Sequence, residues 1–357
     1  MSVYLDHAAT APLCDEAKEA MREAMNCIGN PSSVHGAGTA ARALLEQSRK
    51  TVADCLGCEK DELIFVSGGT EANALALHGR TRVAVSAVEH ASVLQNAPDA
   101  AIIPVLQDGT VDLQAAEERI ANTDFVSVQY ANNELGTLQP IKELGSLCKH
   151  AVFHTDAVQA VGHVPIDLQK EPFDLLSLSA HKFGGPAGIG ALYVKNGTPL
   201  FPLMRGGMQE RGRRAGTESV LLACGTAAAL QASVRGMERE AKRLQALKAE
   251  AITRLKALGG IPWERTPSLA THVHVRFPGC DAEALLYALD LHGICVSAGA
   301  ACHAVSQEPS HVLLAVGMTG QEAKSCLRIS MGRTTVQSDL DALIGALAII
   351  LNQKTSS

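Results

Sequence analysis

The 357-residue sequence predicts an α/β fold, with a mostly parallel sheet in a large domain and a smaller α+β domain. Three observations carry this. Short apolar, β-branched runs alternate with helical stretches through the first half of the chain. A long amphipathic tract rich in Ala, Leu, Glu, Lys and Arg then runs over 219–258. Beyond it the order changes to strand, helix, strand, strand, helix.

The strand candidates of the first part are 63–66, 83–86, 101–105, 125–130, 151–154, 175–178 and 189–194. Helical patterns lie between several of them, at 39–56, 70–78, 113–121 and 141–150. Near-continuous apolar strands separated by helices imply a parallel sheet covered on both faces. In the second part, 272–277, 282–291, 294–297, 326–330 and 338–351 read as the elements of the smaller domain. The expected division is 13–258 for the large domain and 1–12 plus 259–357 for the small one. No repeat or low-complexity linker interrupts the chain.

Apolar residues make up 46% and charged residues 19%, the profile of a globular protein. A formal charge of −6 argues against nucleic acid, whose binders concentrate Lys and Arg on one surface. The basic run Arg211-Gly212-Arg213-Arg214 is too short to change that. The start, Met1-Ser2-Val3-Tyr4-Leu5-Asp6, lacks the pattern of a signal peptide, and no stretch approaches the roughly 20 apolar residues of a membrane span. The expectation is a cytoplasmic protein that binds neither nucleic acid nor membrane, with its ten cysteines as thiols. Cys55-Leu56-Gly57-Cys58 is a lone CxxC, not a zinc site.

Ligands of such sheets bind beyond the carboxyl ends of the strands, so the residues after each strand matter most. After 63–66 comes Ser67-Gly68-Gly69-Thr70-Glu71, which opens a helix; two glycines and unpaired N–H groups suit a phosphate. The next strand leads to His90, and 125–130 leads to Asn132-Asn133-Glu134. Strand 151–154 delivers Asp156 and Gln159. An acid at the end of a buried strand needs a cationic partner, and a pyridinium nitrogen is one. Strand 175–178 runs into Ser179-Ala180-His181-Lys182-Phe183-Gly184-Gly185. A lysine between an apolar strand and a Gly-Gly turn is desolvated, which lowers its pKa and frees the amine for Schiff-base chemistry. Each position has an ordinary structural reading; their conjunction on one sheet does not. Separately, Cys302 follows a run of small residues and precedes a polar stretch, so it reads either as a thiol on a mobile loop or as a buried cysteine in a turn.

At these residues the chain resembles the cysteine desulfurases of the NifS/IscS group, within the fold-type I pyridoxal-phosphate (PLP) enzymes. The matching segments run nearly from end to end: Tyr4 to Thr10, Gly29 to Ser33, Ser67 to Glu71, Asn132 to Gly136, His154 to Gln159, Ser179 to Lys182, Gln209 to Thr217, and Cys302 with Glu308-Pro309-Ser310. The resemblance implies that Lys182 holds PLP and shuttles the substrate proton, Asp156 pairs with the ring nitrogen, and His90 stacks on the ring. Gln159 and Asn133 would contact the ring hydroxyl, and Gly69, Thr70, Ser179 and His181 the phosphate, with Thr217 contributing across a homodimer interface. Arg328 would grip the substrate carboxylate, assisted by Asn30. The implied reaction converts L-cysteine to L-alanine and leaves a persulfide on Cys302. That sulfur would pass to an acceptor protein, an iron–sulfur scaffold or a tRNA-thiolation protein.

Three departures stand out. His303 follows the cysteine where this group has Ser or Thr, as in the similar animal selenocysteine lyases, so release of selenium from L-selenocysteine is the alternative activity. Met208 stands where the family often has a third glycine, and the chain ends soon after 338–351. A catalytically inactive PLP-fold binding subunit is the non-enzyme alternative. An aminotransferase would share Lys182 and Asp156 but has no use for a loop thiol.

Overall fold

The structure, a computed structural model, describes residues 2–265, 267–299 and 308–355. After β1 (Val3–Tyr4), α1 (Asp15–Ala24) and α2 (Gly36–Leu56), seven strands build the main sheet: β2 (Leu63–Val66), β3 (Val83–Ser86), β4 (Ala101–Ile103), β5 (Phe125–Ser127), β6 (Val152–Asp156), β7 (Leu175–Ser179) and β8 (Gly190–Val194). Four helices interleave with them: α3 (Gly69–Leu77), α4 (Ala91–Leu94), α5 (Leu113–Ile120) and α6 (Ile141–Leu147). The spatial order is β2-β8-β7-β6-β5-β3-β4. Only β8 runs against its neighbours, pairing antiparallel with both β2 and β7. The other six strands therefore point one way, and their carboxyl ends share one edge.

The strands are buried along nearly their whole length, as their apolar sequences require. The polar exception pairs internally. The His154 imidazole spans the sheet centre between Ser127 Oγ (2.8 Å) and Ser177 Oγ (2.9 Å), and burial lowers its pKa to about 3, so it stays neutral.

Helix α7 (Val220–Ala257) starts with Ser219 accepting from Leu222 N–H and runs for 38 residues. It is long and apolar enough to cross a membrane by length and composition, which corrects the expectation that no stretch comes close. Ala223, Ala227 and Leu230 spend that apolar face in the core of the main sheet. Its second half, through Leu244, Leu247, Ala251 and Leu255, packs instead with the C-terminal elements. The apolar core thus changes within α7, ahead of the division expected at its end.

Those C-terminal elements are β9 (Ile261–Pro262), β10 (His272–Arg276), α8 (Ala282–Leu291), β11 (Ile294–Cys295), α9 (His311–Ala315), α10 (Gly320–Ala323), β12 (Cys326–Ser330) and α11 (Gln337–Thr355). They form a three-stranded antiparallel sheet, β12-β10-β9, and β1 pairs in parallel with β11. Leu5 enters the same core. Alternation along β10 and β12 sends Val273, Val275, Leu327 and Ile329 into that core. The opposite face carries His272, His274, Arg328 and Ser330 toward the main sheet.

Candidate active site

The shared sheet edge opens onto a cavity of about 270 Å³. Ten predicted residues line it: Gly69, Thr70, His90, Asn133, Asp156, Gln159, Ser179, His181, Lys182 and Arg328. Except for Arg328, which sits inside β12, the sequence places each by the same device, a residue at or just after the end of a buried strand. β6 ends on Asp156 itself, and β7 ends on Ser179, from which a 3-10 turn over Ala180–Lys182 delivers His181 and Lys182. A larger cavity of about 410 Å³ lies behind Lys182, between α1, α7 and the C-terminal part. Its lining is mostly apolar, and of the strand-end residues it gathers only Lys182.

The N-terminal turn holds the lysine. Lys182 Nζ donates to Ala8 O (2.6 Å) and Ala9 O (2.8 Å), while Gln159 Nε2 also donates to Ala8 O (3.0 Å). His181 meets Thr10 Oγ1 at 3.1 Å, and burial, aided by the Lys182 charge, lowers its pKa to about 4. Asp156 accepts Val158 N–H at Oδ1 (2.9 Å) and Asn73 Nδ2–H at Oδ2 (2.7 Å). Arg328 is only 1% exposed; Nη2 donates to Asp6 Oδ1 (2.7 Å) and Nη1 to Asn133 O (3.0 Å). Its Nε–H has no partner among the described residues.

The donor set fits pyridoxal phosphate. One wall offers an acceptor-only carboxylate for a ring nitrogen, and another offers a primary amine for an aldehyde. Between them, the first turn of α3 presents N–H groups that have no intrahelical partner. A Cβ at Gly69 would stand 2.7 Å from Val158 Cγ2, so only glycine lets that helix start approach the end of β6 this closely.

Two predicted residues are elsewhere. Asn30 is exposed, and its Oδ1 accepts from Ser32 N–H (2.9 Å) in a local turn, so within one chain it does not reach the cavity. Thr217 is also exposed and lines a separate open depression with Met204, Gly206, Gly207 and Gln209. Cys302 and His303 lie outside the described residues.

Five residues in or behind the site carried no expectation. Asp6 comes from a segment that reaches the cavity only because β1 pairs with β11. Asn73 and Ser92 line the cavity beneath Asp156 and His90, and Gln129 lies beside them. Asn73 has a sequence signal: it stands four residues after Gly69, the single polar side chain between Ala72 and Leu77. Glu89, fully buried, sends Oε1 to Ser86 Oγ (2.5 Å) and Gln129 N (2.7 Å), and burial raises its pKa to about 8.

The family model for aminotransferase class V matches residues 3–343. A cysteine desulfurase IscS of Dictyoglomus turgidum is 38% identical over 98% of this chain and 95% of its own length. Among solved structures, a NifS-like protein from Rickettsia africae superposes with a TM-score of 0.92 at 34% identity, covering 99% of this chain and 100% of that one. SspA in complex with cysteine gives a TM-score of 0.82 at 32% identity, over 94% of this chain and 100% of that one.

Proposed function

The chain belongs to the aminotransferase class-V family, and we propose that it works there as a pyridoxal-phosphate-dependent cysteine desulfurase, turning L-cysteine into L-alanine. The observation that carries the reading is the single cavity onto which Lys182, Asp156, His90 and Arg328 all open. When bound, PLP supplies the electron sink that lets the Cα–H and Cβ–S bonds of cysteine break.

The chain's residues supply the rest. Asp156 would keep the ring nitrogen protonated, and the start of α3 with Ser179 and His181 would hold the phosphate. Lys182 Nζ would hold the cofactor through its aldehyde, and its amine would take the proton from the substrate α-carbon and return it. Arg328 receives the substrate carboxylate on guanidinium hydrogens not used by Asp6 and Asn133 O. The Cys302 thiolate attacks the substrate sulfur; an S–S bond forms as the Cβ–S bond breaks, leaving a persulfide on the enzyme. An acceptor protein, an iron–sulfur scaffold or a tRNA-thiolation protein, then takes that sulfur. The exposed Thr217 fits a homodimer in which it serves the phosphate of the other subunit. The nine described cysteines are all free thiols, which suits the reducing cytoplasm.

The test is alanine and sulfide release from cysteine by the purified, yellow holoenzyme and by Cys302→Ser. Loss of both products in the variant, with the cofactor absorbance retained, supports the desulfurase. A Cys302→Ser enzyme that keeps its rate would move the function to a different lyase or a transaminase.

A further inference from the structure

Beneath the cavity a chain of hydrogen bonds joins two residues that line it, Asp156 and His90. Asp156 Oδ2 lies 2.7 Å from Asn73 Nδ2, the same Nδ2 lies 2.9 Å from Ser92 Oγ, and Ser92 Oγ lies 2.7 Å from His90 Nδ1. Asn73 is 1% exposed and Ser92 7%, so water does not compete for these bonds. His90 is also the N-cap of α4, where its Nδ1 accepts the Ser92 backbone N–H at 3.1 Å.

The protons in this chain have one consistent arrangement. A carboxylate only accepts, so the Asn73 group facing Asp156 is the amino group, and the amide cannot flip. Its two hydrogens then go to Asp156 Oδ2 and Ser92 Oγ. The Asn73 carbonyl is left buried with no partner among the described residues, a loss that the reversed amide would exceed by setting oxygen against carboxylate. Ser92 Oγ, accepting from Asn73, has its own hydrogen free to donate, and the acceptor within reach is His90 Nδ1. That nitrogen already receives a backbone N–H, so it carries no proton. The ring proton is therefore on Nε2, the nitrogen turned away from this chain of bonds.

We propose that Asn73 and Ser92 are positioning residues that carry the hydrogen-bond direction set by Asp156 to His90, so that Ser92 donates to Nδ1 and holds the ring as the neutral imidazole with the proton on Nε2. One acidic group then does two tasks, pairing with the ring nitrogen and fixing the tautomer of the imidazole on the cavity wall. Doubly protonated His90 would set Nδ1–H against the Ser92 N–H donor, so the arrangement also opposes the imidazolium. The tautomer needs no substrate; only its use in catalysis rests on the desulfurase reading.

The test is a nitrogen NMR titration of the holoenzyme labelled with nitrogen-15 in histidine, with the His90 signals assigned by His90→Gln. The wild type is expected to show unprotonated Nδ1 and protonated Nε2 over about pH 6–8. Ser92→Ala and Asn73→Ala are each expected to raise the His90 pKa by about half to one unit, the worth of one lost hydrogen bond, and Ser92→Thr to restore it. Lys182, His181 and Arg328 around the cavity, and Glu89 and His311 behind it, are the same in every variant and act on all alike. A wild-type His90 protonated at Nδ1, or a titration unmoved in both alanine variants, would overturn the proposal. If the NMR shifts occur while the acid limb of the kcat/KM profile stays fixed, the relay stands and the role of His90 in the reaction falls.

Discussion

Replacing Arg328 by lysine keeps a positive charge in the cavity and removes the fork. The guanidinium has five N–H groups, of which Nη2 serves Asp6 and Nη1 serves Asn133 O, so a substrate carboxylate can be met by two of the remaining three. A lysine ammonium at this buried position offers a point charge and, after satisfying Asp6, one good bond to the carboxylate. The loss is one charge-assisted hydrogen bond, about 1.5–3 kcal/mol, which is about a 10- to 150-fold rise in KM. The lysine still holds the carboxylate at the same place in the cavity, so the reacting atoms stay aligned and kcat is expected to change less than KM. Alanine formation across a range of cysteine concentrations measures both constants, and the cofactor absorbance reports that the site is intact. Arg328→Lys with an unchanged KM would refute the carboxylate role. The arginine would then be a strut tying Asp6 to the Asn133 turn.

Three further outcomes are expected. Glu210→Gln removes the charge from a bidentate pair with Arg49 (2.7 and 2.9 Å; side chains 3% and 0% exposed), leaving the buried guanidinium only Glu46 (3.0 Å) as a charged partner. A loss below the roughly 3–5 kcal/mol of a fully unpaired buried charge is expected, read as a lower urea midpoint, and a midpoint equal to the wild type would count against it. Gly69→Ala forces its new methyl against Val158 Cγ2, and overpacking of about 1–3 kcal/mol should weaken PLP retention about tenfold or more, measured by absorbance during dialysis; undiminished retention would show that the helix start does not bind the phosphate. Glu89→Gln tests the buried carboxyl. Its pKa is raised to about 8 in the fold, so the stability it brings is full below its ordinary value near 4.5 and is lost as pH rises through about 8. The glutamine keeps an acceptor for Ser86 and Gln129, so its Tm should fall less than that of the wild type between about pH 5 and 8, and parallel curves would exclude Glu89 as the titrating group.

The strands of the main sheet were legible because a strand buried on both faces has to be apolar throughout, and β2 and β3 fall on the expected residues. Helix α1 gave less signal: Asp15–Ala24 is mostly charged and buries only Ala17 and Ala24. The two residues of β1 gave none, since their partners Ile294 and Cys295 are nearly the whole chain away. The site divides in the same manner. Residues that follow a strand, such as His90, Asp156 and Lys182, announce themselves by position. Asp6 does not, because pairing between the two ends of the chain brings it to Arg328. Asn73 and Ser92 do not, because their role lies in hydrogen bonds to other side chains.

The division of cores explains why this site can be both rigid and selective. The proposed cofactor half stands on the main sheet, where the strand ends, the start of α3 and the His90 chain of bonds belong to one packed unit. The proposed substrate half, Arg328 with Asp6, stands on the polar face of the β10–β12 sheet, whose other face is packed in the second core. Among the described residues many bonds join the halves, including Arg328 to Asn133 O, Ser310 Oγ to Glu134 Oε2, His311 Nε2 with Glu89 O and Leu269 N–H to Gly136 O, and α7 runs through both cores. A substrate carboxylate on Arg328, with its amine at the Lys182 end of the cavity, adds a further contact across that boundary. Binding energy from that remote group then goes into aligning the reacting atoms with Lys182, which is where it raises the rate. An amine substrate lacking the carboxylate would sit in the same cavity without that contact, and on this argument it loses kcat as well as affinity.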